Sequence, residues 1–136
     1  QEQDSYTFNY RLIPHDGDWL RASQLAHTFQ TDLIAQVNQL QSGSLPARAS
    51  LVAAEPAEFL VSTIKPAEDD KGWVVRGVNL ADHDISLKLR TELPAQTAFL
   101  VNLDESPIRQ LNLTEGAVAL EVAPMKIVTV YFGIRP

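Results

Sequence analysis

Cysteine is absent from the 136 residues, which removes disulfides, thiolate nucleophiles and cysteine-type zinc sites together. Also absent is any apolar run near the ~20 residues that a membrane-spanning helix needs. Basic residues are few, 11 against 17 acidic ones, and they stand singly in a chain of net charge −6. Phosphate backbones demand a basic stripe and anionic lipid surfaces a basic patch, so nucleic acid and membrane are both disfavoured as partners. The six glycines are dispersed. No Gly-x-Gly-x-x-Gly or Walker loop is present to cradle a phosphate, and no Gly-x-Ser-x-Gly elbow to present a nucleophile. The polar start, Gln1-Glu2-Gln3-Asp4, has no initiator Met and no signal-peptide pattern. We read it as a cut inside a longer protein, and the missing cysteine favours a cytoplasmic setting.

What is present is a chain built to fold, 45% hydrophobic and 21% charged. Tyr6, Phe8, Tyr10 and Leu12 alternate with polar residues, a period of two that predicts a half-buried strand over 5–13. Pro14 and Gly17 end it. Asp18 is a candidate N-cap, and Trp19, Ala22, Leu25, Ala26 and Phe29 follow at helical spacing, predicting a helix over 18–29. The β-branched Thr31, Ile34 and Val37 place its end near Gln30. Residues 42–57 are small, with two prolines, and read as a connector with one short strand at 51–53. Beyond it, β-prone runs recur at 59–64, 73–78, 85–89, 98–103, 108–113, 117–122 and 126–134, separated by Pro, Gly and Asp turn chemistry. That spacing predicts an all-β fold, an antiparallel β-sandwich of about seven short strands over 58–136. One strand and one helix cannot by themselves satisfy their backbone or bury an aromatic face, so residues 1–41 need a partner surface.

Polar clusters are sparse. Asp82-His83-Asp84 reads as a solvated turn, and Glu68-Asp69-Asp70 as a charged hairpin turn. His15, Asp16 and Trp19 fall together as a carbohydrate-contact site would arrange them. The alternative is that the acids make turn and cap bonds while Trp19 plugs a core. Trp73 opens the run Trp-Val-Val-Arg-Gly-Val; core packing is the commoner fate of such a residue, and a sugar-stacking platform the other reading. No catalytic set, cofactor site or metal site is identified.

Two stretches resemble the C-terminal region of glycoside hydrolase family 38, the zinc-dependent α-mannosidases. Phe8, Tyr10, Leu12, Pro14, His15, Gly17, Asp18 and Trp19 are similar to a family segment reading roughly H-x-F-x-Y-x-L-x-P-H-x-G-D-W, with Ser5-Tyr6 in place of its leading acidic-His pair. Lys65, Ala67, Glu68, Asp69, Gly72, Arg76 and Asn79 resemble its L-K-x-A-E-D-x-x-G-x-x-x-R-x-x-N hairpin. Pro124, Ile127 and Thr129 look like its closing Pro-aromatic-Glu-Ile-x-Thr strand, from which Met125 and Lys126 depart. The resemblance implies that residues 1–41 are the tail of a large β-supersandwich and 58–136 a small terminal β-sandwich. It implies catalysis and zinc in an N-terminal domain of the same polypeptide, with retaining hydrolysis of terminal α-mannosides. The implied partners are the remaining domains, the parent's α-mannoside substrate and, for the parent, further copies of itself in a homo-oligomer. This segment alone is expected to be inactive; a free-standing carbohydrate-binding or protein-interaction sandwich is the alternative. In the hairpin motif, Gly72 is expected to supply a positive φ, Glu68 or Asp69 to pair with Arg76, and Asn79 to close the following turn.

Overall fold

The computed structural model describes residues 5–17, 19–29, 33–39, 42–44 and 46–134, in two compact units, Gln1–Ser42 and Gly43–Pro136.

In the first unit, Trp19–Phe29 forms helix α1, as its apolar spacing predicts. The N-cap expected at Asp18 and the break expected near Gln30 fall on residues outside those described. The strand expected over 5–13 does not form. A strand exists only through a neighbour's backbone, and no described segment offers this one a ladder. Its alternating face is therefore open, with Tyr6, Phe8, Tyr10 and Leu12 between 61% and 89% exposed.

The second unit is an all-β sandwich, as expected. Its strands are β1 (Val52–Glu55), β2 (Phe59–Pro66), β3 (Gly72–Asn79), β4 (Ile85–Thr91), β5 (Thr97–Val101), β6 (Pro107–Leu111), β7 (Ala117–Val122) and β8 (Ile127–Gly133). A three-stranded sheet runs β1-β4-β7 and a five-stranded sheet β2-β3-β8-β5-β6, every pairing antiparallel. The short strand expected at 51–53 is present as Val52–Glu55, and its pairing with the far edge of β4 carries the sandwich into the stretch assigned as connector.

Burial follows the pleat in β4, where Ile85, Leu87, Leu89 and Thr91 point inward and the residues between them face water. The inner faces of the two sheets meet in one core that includes Phe59, Trp73, Val75, Leu87, Leu89, Val118, Val130 and Phe132. Each such side chain contributes roughly 1.5–3 kcal/mol on burial. Trp73 stacks on Phe132 at 4.6 Å between centroids, and its indole Nε1 is buried without a partner.

Asn79 joins the two sheets. Fully buried at the end of β3, it donates through Nδ2 to the carbonyls of His83, Val122 and Ala123 at 2.9, 3.1 and 3.0 Å. Its Oδ1 accepts the Ala81 N–H at 2.8 Å. It closes the following turn, as expected, and also ties β3 to the end of β7.

Candidate functional site

The outer face of the five-stranded sheet departs from ordinary alternation. Val74 and Val101 are 1% and 5% exposed, yet neither belongs to the inner core. Polar side chains and a loop cover them.

The cover starts in the β2–β3 hairpin. Ala67 N–H donates to Gly72 O at 3.0 Å, and Asp70 takes the left-handed conformation at φ 58°. Asp69 braces the turn by accepting the Lys71 N–H at 2.9 Å. The positive φ expected of Gly72 is thus found at Asp70 instead. Glycine is required at 72 for space: a Cβ there would strike the Phe132 carbonyl oxygen and sit 2.9 Å from Tyr131 Cζ.

The second part is the loop between β5 and β6. Asn102 N–H donates to Ser106 O at 2.9 Å. Asp104 accepts both the hydroxyl and the amide of Ser106, at 2.7 and 3.1 Å, bonds that, the hydroxyl first, hold its carboxyl below the usual carboxylate range. The closed loop delivers Glu105 onto the sheet, at φ 66° and with its side chain 9% exposed. One Glu105 oxygen accepts the Glu68 N–H at 2.8 Å, and the other meets Lys65 Nζ at 2.5 Å. Those two contacts, the amide first, hold its pKa below the ordinary value. Lys65 also reaches Glu68 at 2.6 Å.

Arg76 does not pair with Glu68 or Asp69, contrary to expectation. From β3 it points across the sheet, donating Nε–H to the buried Thr129 hydroxyl at 3.1 Å and an Nη2 proton to Leu103 O at 2.8 Å. Each motif residue therefore has a structural partner: Lys65, Glu68 and Arg76 hold the loop, Asp69 braces the turn, Gly72 admits β8 and Asn79 joins the sheets. Ala67 is buried at 3% exposure.

Between hairpin and loop lies a cleft of about 370 Å³ lined by Asp69, Lys71, Thr97, Phe99, Glu105 and Tyr131, among others. Tyr131 donates to Asp69 Oδ2 at 3.1 Å and stands edge-on to Phe99, 6.4 Å between centroids. Burial, then the bond to Asp69, pushes its phenol pKa up. Phe99, Glu105 and Tyr131 escape notice in the sequence because 32 residues and a strand register separate the two aromatics.

The residues singled out from sequence lie elsewhere. His15 and Asp16 share a depression with Arg21, and His15 Nδ1 accepts the Gly17 N–H at 3.3 Å. Trp19 does not line it and is 47% exposed, so the reading of Trp19 as a core plug fails. Trp73 is 5% exposed and covered by Phe132, which leaves no open ring face for a sugar. Asp82 and His83 meet at 3.1 Å, both largely exposed, and that contact holds the Asp82 carboxyl down. Among the described residues no three His, Asp or Glu side chains converge as metal ligands would.

No curated protein and no solved structure matches this chain. The family model of the glycosyl hydrolases family 38 C-terminal beta sandwich domain matches residues 58–130, taking in β2 through most of β8 and with them the braced hairpin, the folded-back loop and Asn79. Spanning more than half of the chain and nearly all of the sandwich, that match places this protein in the glycosyl hydrolase family 38 C-terminal β-sandwich domain family.

Proposed function

We propose that this chain is the non-catalytic C-terminal structural domain of an α-mannosidase. In this reading the parent hydrolyses terminal α-mannosides with retention, and its zinc and nucleophile lie in another domain of the same polypeptide. The observation that supports it is the use made of the family-like hairpin. Lys65, Glu68, Arg76 and Asn79 carry functional groups that chemistry could use, and each is engaged in holding a loop or a sheet, while Asp69 braces the turn. The described side chains do not fit a zinc ion, since the one close His–carboxylate pair, Asp82 and His83, is held by no third ligand. In this reading the domain's partners are the remaining domains of the same polypeptide and, through them, the parent's α-mannoside substrate.

The purified 136-residue chain is expected to release no nitrophenol from nitrophenyl α-mannoside and to retain no stoichiometric zinc after dialysis. Turnover by the pure chain, abolished by removing a metal, would overturn the reading.

A further inference from the structure

We propose that the cleft between residues 67–72 and 102–107 binds a neutral pyranose sugar. It stands apart from the parent's catalysis and rests on the cleft's own chemistry. Antiparallel register sets Phe99 on β5 opposite Tyr131 on β8, and the two rings make an apolar wall on the outer face. Facing it is a carboxylate held in place. Asp69 accepts the Lys71 N–H and the Tyr131 hydroxyl, which uses part of its roughly four lone-pair sites and leaves acceptors for a ligand. Thr97 and Lys71 also line the cleft, and both side chains carry donors.

Charge decides the ligand class. Glu105 is already matched by Lys65 and the Glu68 amide, and Lys71 sits on the same rim as Asp69. Lys65 is shared with the Glu68 carboxylate, so Asp69 and Glu105 leave the lining slightly acidic and an anionic ligand is disfavoured. The cleft offers an aromatic wall with acceptors and donors side by side. A pyranose has the matching form, an apolar C–H face edged by hydroxyls that donate and accept. A volume of about 370 Å³ falls at the small end of ligand pockets, which run ~300–1,000 Å³. That suits one or two sugar rings rather than a long chain.

The test is an amide-resolved NMR titration of the intact 136-residue chain with the methyl α-pyranosides of mannose, glucose and galactose. At least one should produce saturable shifts centred on the amides of Asp69, Lys71, Thr97 and Tyr131. Asp69→Asn and Tyr131→Phe, both at partly exposed positions, should each weaken binding about tenfold with the rest of the spectrum unchanged. Absence of saturable shifts with all three sugars overturns the proposal, and so does binding that neither variant weakens. Mannoside turnover and zinc retention are unaffected by either result, so this proposal and the parent-enzyme reading fail separately.

Discussion

Residues 5–19 and residues 64–79 both carry a family-like motif that begins with alternating side chains, and only the second becomes a paired strand. In the first, Tyr6, Phe8 and Tyr10 face water. In the second, β3 is flanked on both edges by β2 and β8, so each backbone group has a neighbour and each apolar side chain a surface. Alternation marks a segment that can form a strand. Pairing makes it one, and pairing is a property of the neighbours.

The most severe way to probe this contrast is to remove the link on which β3 depends. Asn79→Ala strips three carbonyls and one amide of their partner and should cost about 3 kcal/mol in urea unfolding. A loss below about 1 kcal/mol would mean that apolar packing alone holds the sheets together. A smaller effect is expected on the outer face. Glu105→Gln should lower stability at neutral pH by about 1 kcal/mol, discounted because the Lys65 end of the pair is open to solvent. Since Glu105 has its pKa depressed on folding from the ordinary 4.5, its contribution is complete above that value and disappears as pH falls through the depressed one. The gap between wild type and variant should therefore close in acid unfolding series; a gap independent of pH would mean that packing, not charge, is responsible. Smallest of all should be Tyr10→Ser, at a side chain 87% exposed. It should change the urea-unfolding free energy of the sandwich by no more than about 0.5 kcal/mol. A larger change would break the contrast, showing that the first motif has structural neighbours after all.

Much of the sandwich was legible because its determinants are local. The runs at 59–64, 73–78 and 117–122 fall on β2, β3 and β7, and the turn residues between runs lie where the chain reverses. What escaped depends on register or on distant chain. The short strand expected at 51–53 is present as Val52–Glu55, but its membership of the sandwich was hidden, because its small residues form an edge strand only against β4. Gly72 reads as a turn glycine, although its constraint comes from the Phe132 carbonyl, 60 residues later. Arg76 has acids close by in sequence and instead crosses to Thr129 and Leu103, since register sets it directly opposite Thr129 on β8. The cleft was least legible, because no local signal links Phe99 to Tyr131 or folds the 102–106 loop back over the sheet.

Asn79 has a mechanical corollary. Its amide is rooted in one sheet and grips carbonyls at the end of the other, so several bonds between the layers depend on one side chain. Displacing one layer from the other would strain them all at once instead of one at a time. The two layers should therefore come apart there in one step.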